Sequence, residues 1–501
     1  MMGIVAPAVI RGQVITDNLV SFGGRGGDME FLSPDPDTLI DRLPLRDPAQ
    51  MRKLYTLTID EIIDFLAELG KELDLSRNGH MQEALELSYA ATDLTPPILR
   101  WQYSLIQQYF SREMIKGFID VPIGIPFVEG WQKITLADGR AASIRAMGAR
   151  CLHITAGNSP MTALISLARN ALTRSDAIIK SPSNDPFTAL AVARTMIDMA
   201  PDHPVTKHFS VAYWKGGSTA FEEKLYQPKN IEKIVAWGGF ASVKHVTRYI
   251  QPGLELISLD PKRSITIIGK DTFADETTMR DAALRCATDI GASNQTGCSS
   301  ARVVLVESGS DEAGIDRLRR FGEMVYAEMM ALPGHLSTKP KRFDAELRAD
   351  IEGLRSTPDF YEVIGGKDDE GAIILSKLDD VVDFYPSLAG RVANFVPLDS
   401  LSQVFRFVNS YTQTVGIYPE ALKRELRDEL PLFGAQRIVT LGYAMTANPA
   451  LPQDAIEPLR RMVKWIVDEE CPKNSCPPLW ESAVTPPQVT GPAGSSREGY
   501  S

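Results

Sequence analysis

The heptad NQTGCSS, residues 294–300, sets one cysteine, Cys298, among small and polar residues just ahead of the apolar run ARVVLVE. A thiol in that setting has two readings. Free cysteine is often buried and serves cores as a small hydrophobe, whereas a thiolate at a pocket rim is a soft nucleophile toward acyl carbon. The remaining cysteines offer less chemistry. Cys151 falls inside an apolar strand and Cys286 on an apolar helix face, which suits packing. Cys471 and Cys476, in CPKNSC, lack the second Cys or His pair that a zinc site needs. Five cysteines are few and odd in number, against a disulfide framework. The six histidines show no H-x-x-x-H spacing; His153 reads as a strand residue and His245 as a helix-face residue.

The elements that must position Cys298 follow a strand–loop–helix rhythm. ARCLHIT is followed by AGNSP and the helical MTALISLARNAL; DAIIK by SPSNDP and FTALAVARTMIDM; FSVAYW by KGGST; IEKIVAW by GGFASVKHV. That rhythm predicts a parallel, doubly wound sheet of the α/β class, whose ligands bind beyond the carboxyl ends of the strands. TAGNSP, KSPSN, KGGST and WGGF then share one edge. No G-x-G-x-x-G fingerprint occurs there, but the pairs Gly216–Gly217 and Gly238–Gly239 would let backbone approach a phosphate. Lys180 ends the second strand, as a ligand contact or a solvated strand end. Trp214 follows the third, as a wall of an adenine pocket or a buried aromatic.

LELISL and SITIIG read as further strands, and ETTMRDAALRCATDIGA as the helix leading into the heptad. Upstream, Thr58 and Glu61 form a capping box for a helix with Ile62, Ile63, Leu66 and Leu69 on one face and Gly70 at its stop. Residues 122–147 alternate with turn residues and predict an extended hairpin. The expected organisation is an N-terminal arm over 1–50, a cofactor domain over 51–258 carrying that hairpin, a catalytic domain over 259–430, a return to the cofactor domain over 431–475, and a flexible tail over 476–501.

Of 501 residues, 44% are hydrophobic and 23% charged, with a net charge of −11 spread in interleaved signs. Without clustered Lys and Arg, nucleic acid is not an expected partner, while a small anion needs only a local donor pocket. The first residues lack the basic region of a signal peptide, and no apolar stretch is long enough to span a bilayer, so a cytoplasmic setting is expected.

GNSP after the first strand, IIKSPSNDP after the second and NQTGCSS well downstream resemble the aldehyde dehydrogenase superfamily. YWKGG, QTVGIYP and RIVTLG narrow the resemblance to its acyl-CoA reductases, the branch that includes the fatty-acid reductase subunit of bacterial bioluminescence. It covers roughly residues 55–465. The resemblance implies that Cys298 carries the acyl group as a thioester. Asn158 would donate to the oxyanion alongside the Cys298 N–H. Lys180 would bind the cofactor, and Gly238 and Gly239 would contact its phosphates. Thr155, Ala156, Ser183, Trp214, Gly217 and Ser387 complete the expected cofactor set. The superfamily's hairpin pairs subunits, which implies a homo-oligomer.

Three positions depart from the pattern. Where hydrolytic members carry the glutamate that activates water, this chain has Ser258. Without that base an acyl-enzyme resists hydrolysis, which suits transfer to hydride. Ser183 replaces a carboxylate that hydrogen-bonds the adenosine ribose in NAD-preferring members, so NADPH is favoured over NADH. Ser387 replaces the carboxylate of E-x-F-G-P. The expected activity is NADPH-dependent reduction of a fatty acyl-CoA or acyl-protein thioester to the aldehyde, with an acyl-transferring or acyl-activating enzyme as partner. The alternatives are a CoA-acylating aldehyde dehydrogenase running the reverse reaction, or a catalytically silent complex subunit.

Overall fold

A computed structural model describes residues 3–24, 29–137, 139–259 and 261–470. The CPKNSC cysteines and the tail expected over 476–501 lie outside these residues. Strands β1 (Ala8–Ile10) and β2 (Gln13–Ile15) form a hairpin, and β3 (Leu19–Gly23) pairs with β4 (Glu30–Pro34). The helix Ile59–Glu72 opens on the predicted capping box: the Glu61 N–H donates to Thr58 Oγ1 at 3.1 Å, and the Thr58 N–H to the Glu61 carboxylate at 2.7 Å. Its apolar face, with Ile62, Ile63, Leu66 and Leu69, is buried. Gly70 does not stop this helix. A Cβ there would stand 2.4 Å from Phe110 Cβ, so the glycine permits a close approach between helices.

The hairpin expected over 122–147 is shorter than predicted. Residues 125–129 form a helical turn, with Pro126 pre-setting φ at its start. Pairing begins with β5 (Gln132–Thr135) against β6 (Ala141–Met147). The chain then enters β7 (Arg150–Ile154), β8 (Asp176–Lys180), β9 (Phe209–Ala212), β10 (Lys233–Trp237) and β11 (Glu255–Leu259), with helices in every connection. These strands, in the order β11-β10-β7-β8-β9-β1-β2, make the first sheet, parallel from β11 to β9. Strands β7 and β8 are buried at every position, as central parallel strands must be. Because β1 pairs antiparallel with β9, the N-terminal segment frames the sheet instead of forming a free arm.

The second sheet contains β12 (Arg263–Ile268), β13 (Ala301–Val306), β14 (Tyr361–Gly365), β15 (Ala372–Ser376), β16 (Val392–Pro397), β17 (Thr412–Tyr418) and β18 (Arg437–Thr440). Its order is β14-β15-β16-β13-β12-β17-β18, parallel except for β14. Residues 437–440 therefore belong to this sheet, and the return to the first half of the molecule comes later than residue 431. It ends in β19 (Lys464–Glu469), which pairs antiparallel with β6 in a sheet ordered β19-β6-β5.

Strand order reverses between β7 and β10, so the loops after these strands flank the switch point where an open α/β sheet forms its ligand crevice. The joint between β6 and β7 is equally constrained: a Cβ at Gly148 would stand 2.0 Å from the Arg174 carbonyl oxygen. Gly148→Ala should therefore lose about 2 kcal/mol or more of stability through forced backbone displacement. The check is the urea unfolding midpoint, and a midpoint equal to the wild type would contradict this close approach.

Candidate active site

Cys298 lies in the turn just ahead of β13 and keeps an exposed surface, unlike the buried Cys151 and Cys286. The loop that presents it is held from several sides. Ser293, Asn294 and Gln295 all adopt left-handed backbone (φ 53°, 52° and 62°), a conformation that costs non-glycine residues about 1–2 kcal/mol each. Side chains compensate. Gln295 donates to the carbonyls of Ala301 (2.7 Å) and Val392 (2.9 Å) and accepts from the Val392 N–H (3.0 Å). Asn294 accepts from the Thr338 N–H at 2.8 Å, and Gln102 donates to Ser293 Oγ at 3.1 Å.

Beneath the turn, the Arg302 guanidinium donates to the carbonyls of Gln295 (3.3 Å), Gly297 (3.3 Å), Ser300 (2.9 Å) and Leu388 (2.9 Å). Ser264 Oγ donates to the Cys298 carbonyl at 2.8 Å and accepts from the Thr414 N–H at 3.2 Å, tying the turn to β12 and β17. Asn158, from the loop after β7, reaches the same turn, its Nδ2 donating to the Thr296 carbonyl at 3.2 Å. A primary amide has a second N–H, so Asn158 can hold the loop and still donate to an oxyanion.

Cys298 is not at a helix N-terminus. The protein crowded around it raises the thiol pKa above its ordinary value, and the charge of Asp454 acts in the same direction; Gln413 and the more distant Arg302 oppose them. Gln413 Nε2 also donates to Asp454 Oδ1 at 2.6 Å, so the amide is oriented by the carboxylate beside the thiol. Asp454 occupies a tight two-residue turn, with Asp454 and Ala455 both left-handed (φ 52° and 60°) between mutually bonded Gln453 and Ile456. Arg302, Gln413, Asp454 and Ser264 were not singled out from sequence. Gln413 stands in the QTVGIYP motif and Arg302 four positions beyond Cys298, but neither position indicates a contact with the thiol loop.

The expected cofactor residues gather at the carboxyl edge of the first sheet. Thr155 donates through its backbone N–H (3.3 Å) and its hydroxyl (3.0 Å) to the Lys180 carbonyl, which joins the ends of β7 and β8. Half-buried Ala156 lies in that loop, and half-buried Ser183 in the loop after β8. Asn184 Nδ2 donates to the Gly157 carbonyl at 3.1 Å, and a Cβ at Gly157 would stand 2.1 Å from Asn184 Oδ1. Lys180 points its amine over the rings of Tyr213 (5.8 Å) and Trp214 (5.7 Å); burial pushes its pKa down to about 8, with Glu222 opposing.

Trp214 is completely buried against Phe221. It forms the core under Lys180 and is not an open wall of an adenine pocket. Gly217, exposed with φ +88°, uses the conformational freedom of glycine in the loop after β9. Gly239 caps the helix Phe240–Thr247 without any side-chain cap; a Cβ there would meet nothing within 4 Å, leaving the helix N-terminus open to an anion. These features fit a dinucleotide phosphate. Ser387 is exposed in the turn Tyr385–Ser387, and its neighbours Tyr385 and Pro386 line a cleft of about 430 Å³ that Phe240 also lines. Among the described residues no cluster of ligating side chains could hold a metal, and no helix is long and apolar enough to cross a membrane.

Alkylation of Cys298 by iodoacetamide should rise with a midpoint above that of an ordinary thiol, and Asp454→Asn should lower that midpoint by removing the negative charge beside sulfur. Peptide mapping of the adduct against pH measures both; a midpoint that moved up in Asp454→Asn would refute this assignment.

The fold and the chemistry of the site agree with the chain's similarities. The family model for acyl-CoA reductase (LuxC) matches residues 54–465. The long-chain acyl-protein thioester reductase of Vibrio harveyi is 25% identical over 471 residues, spanning 92% of this chain and 93% of that protein. Among solved structures, the Mycobacterium tuberculosis aldehyde dehydrogenase complexed with NAD+ superposes with a TM-score of 0.69 at 14% identity, over 95% of this chain and 100% of that one. The NADP-dependent glyceraldehyde-3-phosphate dehydrogenase from Bacillus halodurans also gives 0.69, at 12% identity over 94% and 99%. The protein has the aldehyde dehydrogenase-like fold, and the chain belongs to the acyl-CoA reductase (LuxC) family of oxidoreductases.

Proposed function

We propose that the protein reduces a fatty acyl thioester, carried by CoA or by a protein, to the aldehyde through an acyl group held on Cys298, with NADPH as the cofactor. The observation that carries the reading is the convergence of Cys298 and Asn158 on one turn from two different sheets. The sulfur attacks the thioester carbon, and the resulting oxyanion accepts from the second Asn158 N–H and the Cys298 N–H. The departing thiol leaves the acyl group on Cys298. Because the thiol is held neutral, its proton must leave as sulfur attacks, and Asp454 is the nearby carboxylate whose charge already reaches it. With Ser258 where a hydrolytic base would stand, water is poorly activated and the thioester persists.

A bound nicotinamide cofactor would supply hydride to the acyl carbon. Lys180 and the open helix N-terminus at Gly239 would hold its phosphates, and Ser183 leaves room for a 2′-phosphate without carboxylate repulsion. The similar Vibrio harveyi protein, named as an acyl-protein thioester reductase, supports an acyl-protein donor and hence an acyl-transferring partner enzyme. A homo-oligomer is supported by β19, whose Trp465, Ile466 and Val467 expose apolar surface on a short three-stranded sheet.

Incubation with acyl-CoAs of graded chain length should leave a thioester on Cys298, detected by mass spectrometry, discharged to aldehyde by NADPH and absent from Cys298→Ala. Asn158→Ala should slow acylation about 10²–10³-fold through loss of one oxyanion donor. Failure of every acyl-CoA and acyl-protein to form the adduct would end this reading. For the cofactor, Ser183→Glu should weaken NADPH relative to NADH by about tenfold or more, since a carboxylate would face the 2′-phosphate. Equal kcat/KM ratios in variant and wild type would remove the basis for NADPH.

A further inference from the structure

The cleft of about 430 Å³ is lined by Phe240, at the start of the helix Phe240–Thr247, and by Arg263, Arg302 and Thr412 at the amino ends of β12, β13 and β17. That volume falls in the range of small-molecule sites. Two arginines line this cleft, and among the described residues no aspartate or glutamate lines it. Asp380 lies in an adjoining recess of about 220 Å³. The two arginines differ in what they already hold. Arg302 spends its N–H groups on the carbonyls of the Cys298 turn and of Leu388. Half-buried Arg263 has no ion pair with any described carboxylate; its backbone N–H donates to the Tyr411 carbonyl at 2.9 Å.

Two like charges facing one cleft repel, and the proximity of Arg263 helps lower the Arg302 pKa to about 10, burial being the larger cause. An anion between them would relieve that repulsion, and the planar fork of Arg263 matches a phosphate or carboxylate. Phosphate is the better match, because Phe240, the first residue of a helix whose N-terminus has no side-chain cap, lines the same cleft. Phe240 and Tyr411, exposed at 61% and 56%, add aromatic surface along the way. A ligand with an anionic phosphate chain and a flat or apolar body suits this arrangement.

We infer that Arg263 is the anchor of a second phosphate subsite, which grips a phosphate ester of the nucleotide-bearing reactant at the end of the cleft nearest Cys298. The inference rests on the proposed reductase reading, in which two reactants carry such phosphates: the dinucleotide cofactor and a CoA thioester. It would supply, from β12, a hold on the reactant that the departure at Ser387 takes away.

Calorimetric titration with NADPH and, separately, with CoA tests the subsite without turnover. Arg263→Gln should bind one of them about 10–100-fold more weakly, the loss expected for a charged hydrogen bond to phosphate. Arg263→Lys, which keeps the charge but not the fork, should lose less, and thermal melts establish that both variants fold. Loss confined to NADPH assigns the subsite to the cofactor, loss confined to CoA assigns it to the thioester donor, and loss for both assigns it to each in turn. Unchanged affinity for both ligands in a folded Arg263→Gln overturns the inference. Acylation of Cys298 is scored apart: wild-type protein that binds nucleotide through Arg263 yet never acylates would sink the reductase reading and leave the subsite standing.

Discussion

A buried guanidinium that must be satisfied governs the geometry of this site. Arg302 stands at the start of β13 with four main-chain carbonyls as its partners, three of them from the turn that carries Cys298. Leaving such a cation without acceptors is expensive, so the turn curls around it. Curling sends three consecutive non-glycine residues into left-handed backbone, a strain that the Gln295 and Asn294 side-chain bonds hold in place. The thiol's position thus follows from where Arg302 sits, and Arg302 is placed by the central strand of the second sheet.

The second determinant is how the two sheets face one another. The first offers the carboxyl ends of its parallel strands, where loops end in Asn158, Lys180 and the Gly238–Gly239 turn. The second offers the amino ends of β12, β13 and β17. One edge provides helix N-termini and short polar loops, and the other provides arginines and Cys298. The cleft is lined by Phe240 from the first and by Arg263 and Arg302 from the second, and Asn158 reaches the turn that carries Cys298.

Charge around the sulfur sets the chemistry apart from hydrolysis. Crowding and the charge of Asp454 push the thiol pKa above its ordinary value, whereas Gln413, oriented by that same carboxylate, opposes them. Ser258 lies in β11, where a hydrolytic relative would hold its base. In the proposed reading, such a site suits an acyl group that waits for a second reactant.

Sequence alone determined the elements and their order. Apolar runs such as RCLHI and DAIIK become fully buried strands, the Thr58–Glu61 box caps its helix, and glycine pairs mark open turns, because each depends on neighbours in the chain. The family motifs drew attention to Cys298, Asn158 and Lys180, and the fold brings Asn158 to the turn that carries Cys298. Tertiary structure decided the rest. Gly70 proved to be a contact with Phe110, Trp214 a core residue under Lys180, and Pro126 the start of a helical turn instead of a hairpin arm. Above all, Arg302, Gln413, Asp454 and Arg263 acquire meaning only when β12, β13, β17 and the 453–456 turn converge. Hydrogen bonds and Coulomb forces act over a few ångströms of space, and no periodicity along the chain records which distant segments will share that space.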